Sequence, residues 1–223
     1  KPGLFTAQGR DAAGAVWLDD LGFAPSSPTT ASARLAGRRD ALLALAPRLS
    51  AGHASHKGGF GDVWVVGGAP GMAGAAALAS RAALHAGAGR VYCSLLVDTG
   101  SGAHETASPE IMPRTWAAGR AAGLVDNATV VCGCGGGDAV RSVLPELLSR
   151  ARRLVLDADA LNAIAADSGL ALQLAARARR GAATVLTPHP LEAARLLGAT
   201  TAEVQADRLS AGRNLADRFG ATV

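Results

Sequence analysis

The stretch DVWVVGGAPGMAGAAALASRAALHAGAGR, residues 62–90, decides how this chain is read. Residues 63–66 form an apolar run as long as one buried strand. Gly67, Gly68 and Gly71 follow with Pro70 among them, so the chain turns there. An alanine-rich run, 72–86, places Leu78, Ala82 and Ala86 on one helical face and ends at Gly87 and Gly89. Strand, glycine loop and helix in that order aim unpaired backbone N–H groups and the positive end of a helix dipole at an anion. Taken alone, the stretch is an ordinary βα unit, because its glycines match neither G-x-G-x-x-G nor G-x-x-x-x-G-K-[ST].

Downstream, the same alternation continues. The pattern predicts strands at 63–67, 90–96, 128–132, 153–157 and 183–187. It predicts helices at 72–86, in part of 138–151, and at 159–166, 170–180, 190–197 and 203–219. The segment 97–123 is less regular; it includes PEIMPRTW (109–116), where Pro109 and Pro113 argue against a helix. Buried strands alternating with helices indicate an α/β fold, a mainly parallel sheet flanked by helices. Upstream, residues 1–23 are turn-like with one strand candidate at 15–18. Residues 24–33 read as a Pro/Ser/Thr/Ala-rich linker, and 35–45 as a short helix ended by Pro47. Residues 221–223 look like the first half of a further strand. Both ends are therefore expected to continue into a longer protein, the fold being truncated at its C-terminal side.

Composition narrows the function. Apolar residues make up 49% of the 223, enough for a sizeable core, and with aromatics at 4% that core is Ala, Leu and Val. The net charge is +4, and the basic residues sit in short groups such as Arg38-Arg39 and Arg177-Ala178-Arg179-Arg180. That excludes a nucleic-acid stripe but tolerates a small phosphate-bearing ligand. The odd cysteine count (Cys93, Cys132, Cys134) without a C-x-x-C pair fits reduced thiols. With neither a signal peptide nor a membrane-length apolar run, a cytoplasmic protein with no membrane or nucleic-acid partner is expected. Oligomeric state is left open, a homo-oligomer among the alternatives.

Four distinctive stretches follow four of the expected strands: GGAPGMAG, GCGGGD (133–138), DADALN (157–162) and TPHPLE (187–192). In open parallel sheets the ligand crevice lies outside the carboxyl ends of the strands, so these loops converge on one edge. The glycines at 133 and 135–137 expose backbone to a phosphate or sugar, or form a loose connection with Asp138 as an N-cap. Asp157 and Asp159 could hold a divalent cation through water; the alternative is helix capping, with Asp159 starting 160–166. Asn162, one turn into that helix, is within reach of the crevice. Pro188 and Pro190 restrict His189 on both sides, which aims its ring and favours a ligand contact. Glu192 reads as a first-turn dipole partner. His53 and His56 have no partner at a metal spacing, and no metal ligand set is expected. Lys57 is either a phosphate contact or a solvated loop lysine; nothing marks Cys134 as an activated nucleophile.

With these residues in view, 43–223 resembles the ADP/ATP-dependent NAD(P)H-hydrate dehydratases. The resemblance runs through SHKGGFGDVWVVGG (55–68), GMAGAAALASRAALHAGAG (71–89), PEIM (109–112), GCGGG (133–137), LVLDADALN (154–162) and LTPHPLEAARLLG (186–198). Residues 1–23 resemble, over a shorter match, the closing segment of the NAD(P)H-hydrate epimerase domain, leaving 24–42 as linker and short helix. The resemblance implies a ribokinase-like fold and removal of water from the (6S) hydrate of NADH or NADPH. It implies ADP as phosphoryl donor, giving AMP and phosphate, with Mg2+. By motif, Ala75, Gly135 and His189 would contact the hydrated dinucleotide, with Gly74, Asn162 and Lys57 as secondary candidates. Two departures stand out. Cys134 takes the place of the proline in the family's G-P-G-x-G. The family's V-L-K-G strand and its G-T-G-D motif, whose Asp is the catalytic base, would lie beyond Val223. No catalytic residue is therefore expected within these residues, and the segment alone is expected to be inactive. The rival readings are a small-molecule kinase on the same fold and a nucleotide-binding module without catalysis.

Overall fold

The structure, a computed structural model, describes residues 2–19, 21–22, 33–49, 52, 54–96 and 108–223. Its centre is a six-stranded sheet in the order β3-β2-β1-β4-β5-β6, with every neighbouring pair parallel. The strands are β1 (Asp62–Gly67), β2 (Arg90–Leu95), β3 (Ile111–Pro113), β4 (Thr129–Cys132), β5 (Arg153–Leu156) and β6 (Ala183–Leu186). Helices α1 (Ala7–Ala13) and α2 (Arg38–Leu49) precede the sheet. Helix α3 (Ala73–His85) connects β1 to β2, and α4 (Trp116–Ala121) and α5 (Leu124–Asn127) lead into β4. Then come α6 (Leu144–Arg150), α7 (Ala158–Ala165), α8 (Ser168–Arg179), α9 (Pro190–Leu197), α10 (Thr201–Ala206) and α11 (Arg208–Phe219).

Strand alternation assigns each side chain a face. Val65, Val91, Cys93 and Ile111 turn toward one side, where Ala76 of α3 packs on them. Trp64, Val66, Val130, Cys132, Leu154, Leu156 and Leu186 turn the other way, onto leucines of α6, α7, α8, α9 and α11. Two aromatics fill space at the sheet's face. Buried Trp64 stacks on Trp116 at 5.0 Å, and its indole N–H donates to Ser94 Oγ at 2.8 Å. One buried charge braces the layer. Arg177 of α8 donates to Thr184 Oγ1 (2.8 Å) and to the carbonyls of Leu147 (3.2 Å), Leu148 (3.1 Å) and Ala183 (3.2 Å). Burial, reinforced by the nearby Arg180 charge, lowers its pKa to about 10, which leaves it cationic at neutral pH against the C-terminal carbonyls of α6.

Four expectations need correction. The irregular segment contains a strand, β3, too short for periodicity to reveal; Pro113 is tolerated there because β3 is the sheet edge. Residues 15–18 form no strand: Trp17 and Leu18 are exposed and have no strand to pair with. Helix α2 passes through Pro47 rather than stopping before it, forgoing one backbone bond near its last turn. The run 203–219 is two helices, because the Asp207 carboxylate accepts the Ser210 N–H and starts α11 afresh. Thr222 does make a parallel bridge with Val185 of β6. The linker expected at 24–33 falls almost wholly, and His53 entirely, outside the described residues.

Candidate functional site

The strand order reverses between β1 and β4: the chain leaves β1 toward β2 and β3, and leaves β4 toward β5 and β6. Connections diverge there, and a crevice opens at the carboxyl ends of the two strands. The two glycine loops occupy this point. They are joined at their base, where the Gly68 N–H donates to Cys134 O (3.0 Å) and the Ala69 N–H to Gly135 O (2.6 Å). Gly135 has φ +58, and a Cβ there would stand 2.8 Å from Met72 O and 2.9 Å from Ala75 Cβ. The sequence-predicted contacts Ala75 and Gly135 are thus brought side by side. Gly74 is exposed on the first turn of α3, with open space where a Cβ would be. Met72, at the N-cap of α3, gives no side-chain cap, so the first N–H groups of that helix keep no side-chain acceptor.

The next loop along the sheet edge binds its neighbours on both sides. Asp157 accepts the Thr187 hydroxyl at 2.7 Å from the β6 loop, and the Cys134 thiol at 3.6 Å from the β4 loop. Asp159 accepts the Gly137 N–H at 2.8 Å, so it caps the turn of the adjacent loop rather than its own helix. Both carboxylates are engaged in protein hydrogen bonds. Among the described residues no group of three or more His, Cys, Asp or Glu is arranged to hold a metal ion. Asp138 caps nothing; its exposed carboxylate lies 3.8 Å from Arg141. Cys134 is no activated nucleophile: burial first, then the Asp157 charge, pushes its thiol up to about 11.

His189 is the N-cap of α9. Its Nδ1 accepts the Leu191 N–H (3.1 Å), so Nε2 carries the proton and faces Glu192 Oε1 at 3.0 Å. Buried Glu192 also accepts the His189 N–H at 2.9 Å, completing a capping box. The ring is therefore held as the flanking prolines suggest, but both nitrogens serve its own helix and its exposed face is what a ligand can meet. Asn162 accepts Arg195 Nη1 at 2.6 Å and links α7 to α9. Lys57 lies apart from the glycine loops. It precedes β1, and its carbonyl abuts Gly89 at the start of β2, about 20 Å of strand away. Sequence reasoning missed Thr187 and Arg195; the signal for Thr187 was its place directly after a strand, at the head of the TPHPLE stretch.

A sequence-family profile described as NAD(P)H-hydrate dehydratase matches residues 53–223, a span that holds the sheet and all four loops. The ADP-dependent (S)-NAD(P)H-hydrate dehydratase of Neisseria meningitidis serogroup B is 46% identical over 173 residues, covering 76% of this chain and 56% of that protein. The bifunctional NAD(P)H-hydrate repair enzyme Nnr of Escherichia coli K12 is 34% identical over 232 residues, covering 99% of this chain and 41% of that protein. The chain thus spans about half the length of these relatives. In architecture it matches a ribokinase-like superfamily protein of Enterococcus faecalis, with TM-score 0.58 and 20% identity over 77% of this chain and 59% of that one. It also matches the ADP/ATP-dependent NAD(P)H-hydrate dehydratase of Bacillus subtilis co-crystallised with ATP/Mg2+. There the TM-score is 0.57 and the identity 23%, over 77% of this chain and 60% of that one. These likenesses establish a ribokinase-like fold.

Proposed function

The chain belongs to the NAD(P)H-hydrate dehydratase family, and from that membership we propose that its protein removes water from the (6S) hydrate of NADH or NADPH, using ADP. The C6 hydroxyl gives up its proton and takes the terminal phosphoryl group of ADP as AMP leaves; phosphate then departs from C6 with the push of the ring nitrogen's lone pair, and loss of a proton from C5 restores the C5–C6 double bond. The observation that carries this reading is the joining of two family-matching glycine loops at the sheet's switch point, with Ala75 against Gly135.

Each residue has a defined part in this proposal. Ala75 and Gly135 form a small-residue wall that lets the hydrated ring approach, and Gly74 exposes backbone beside them. The uncapped start of α3 faces the dinucleotide's phosphates. His189 offers its ring face from the opposite loop, and Asn162 holds α9 in place through Arg195. Lys57, at the other end of β1, serves the fold. Among the described residues no group of three or more His, Cys, Asp or Glu is arranged to hold a metal ion, so a magnesium ion would be carried mainly by the nucleotide's phosphates and water. Residues 43–223 would be the dehydratase part and 1–23 the tail of an epimerase-like domain, a division supported by alignment of the bifunctional E. coli relative along 99% of this chain. The free thiols Cys93, Cys132 and Cys134 suit a cytoplasmic setting.

The test is ADP-dependent recovery of NADH absorbance from its hydrate by the full-length protein, compared with Ala75→Trp. The wild type should turn over, and the variant should show a hydrate KM raised about tenfold or more with its circular dichroism retained. No ADP-dependent turnover by the wild type would overturn the proposal, and an unchanged hydrate KM in the variant would remove Ala75 from the site.

A further inference from the structure

We propose that Asp157 is a positioning residue whose carboxylate clips the Gly135 loop to the His189 loop and so sets the width of the crevice between them. The inference rests on the substrate reading above, since it concerns the two loops assigned there to the hydrate.

Three observations support it. Asp157 sits at the N-cap of α7, where an aspartate ordinarily accepts an N–H of its own helix, yet it makes no such bond. Its oxygens turn sideways instead, Oδ1 to the Thr187 hydroxyl (2.7 Å) and Oδ2 to the Cys134 thiol (3.6 Å). Thr187 has one hydroxyl proton, and its other acceptor, Leu156 O, is farther (3.2 Å) and uncharged, so the proton goes to the carboxylate. Cys134 is adjacent to Gly135, and Thr187 stands two residues before His189, so each bond lands on a proposed substrate loop. The backbone around Asp157 is held as well. Ala158 takes φ +45, a left-handed conformation that an L residue adopts only where its surroundings hold it there. Glycine at 133 (φ +117) leaves room for the Asp157 carbonyl, which would lie 2.0 Å from any Cβ there. Finally, Asp159 repeats the device on Gly137 N. With an ionised carboxylate as a two-oxygen acceptor and β5 lying between β4 and β6, position 157 can reach both loops at once.

The experiment compares the full-length protein with its Thr187→Val, Thr187→Ser and Cys134→Ala variants. It reads amide hydrogen exchange at 133–137, 187 and 189, and KM for the hydrate and for ADP separately. Thr187→Val should speed exchange at 133–137, across the crevice from the change, about threefold or more. It should raise the hydrate KM about five- to tenfold, with kcat and the ADP KM within about twofold, and Thr187→Ser should restore both readouts. Cys134→Ala should speed exchange at 187 and 189. Unchanged exchange at 133–137 in Thr187→Val overturns the clip, as does an equal rise in both KM values that serine fails to rescue. A wild type without hydrate turnover overturns the proposed function instead, and the clip then stands or falls on the exchange data.

Discussion

Replacing Gly135 by alanine tests the contact between the two glycine loops most directly. At φ +58 an L residue is disfavoured by about 1–2 kcal/mol. The new Cβ would also stand 2.8 Å from Met72 O and 2.9 Å from Ala75 Cβ. Neither neighbour can swing aside: one is backbone where α3 begins, the other the first side-chain carbon of a helical residue. Ordinary contact begins near 3.5 Å, so the loop must retreat by about half an ångström or more. That retreat stretches the Ala69 N–H to Gly135 O bond, now 2.6 Å. Overpacking of this kind costs about 1–3 kcal/mol, so the whole change should cost about 2–5 kcal/mol. Urea unfolding measures the loss, and the hydrate KM should rise with it. Gly74→Ala is the matched control. It meets nothing within 4 Å and lies in a helix, where alanine is preferred, so stability should hold or rise while only the hydrate KM changes. Should Gly135→Ala unfold within about 0.5 kcal/mol of wild type, or Gly74→Ala lose as much as Gly135→Ala, the packing argument is wrong.

Three further outcomes are expected. Arg177→Met strips donors from Thr184 and from the carbonyls of Leu147, Leu148 and Ala183, and should cost about 3 kcal/mol in urea unfolding; a loss under about 1 kcal/mol would mean that the charge is structurally idle. Burial raises the folded Cys132 thiol to about 12 from an ordinary 9, so above pH 9 the unfolded chain sheds a proton that the fold keeps. Its contribution is present below pH 9 and lost toward pH 12 at up to about 1.4 kcal/mol per unit, so Cys132→Ala should flatten the decline between pH 9 and 10.5, and parallel profiles would contradict this. His189→Asn keeps an N-cap acceptor while removing the ring, so it should hold the unfolding midpoint close to wild type and raise the hydrate KM; an unchanged KM would take the ring out of the site.

Much of the fold was legible because its strands are short apolar runs, closed by glycine after β1 and β4 and by a polar residue after β5 and β6. The strands β1, β2, β4, β5 and β6 begin and end within one residue of the reading. β3 escaped because three residues at a sheet edge carry no period, and Pro113 masked it as a breaker. The break at Asp207 escaped because a cap inside a polar run looks like any other surface acid. At the site, the sequence could place loops on one edge, since that follows from topology. It could not say which side chains meet. Asp157 and Asp159 looked alike as neighbouring acids, and only the folded chain separates the cross-loop acceptor from the cap on Gly137. His189 was read as a ring aimed by its flanking prolines; the residue that its Nε2 faces, Glu192, had been read only as a dipole acid.

The same geometry revises what the first glycine loop can do. Strand, glycine loop and helix suggested a cradle of loop N–H groups for an anion. In the folded chain the N–H groups of Gly68 and Ala69 are already donated to Cys134 and Gly135. Those donors tie the two loops together, and they are unavailable to a ligand unless the crevice floor opens. The Met72 N–H is likewise taken by Ala69 O, and the Ala75 N–H by Met72 O. What remains facing outward is the start of α3, where Gly74 leaves open space and no side chain caps the helix. An anion is therefore better matched to the helix end than to the loop, as the proposed dinucleotide substrate would require, and the loop's glycines serve to bring Ala75 and Gly135 into contact.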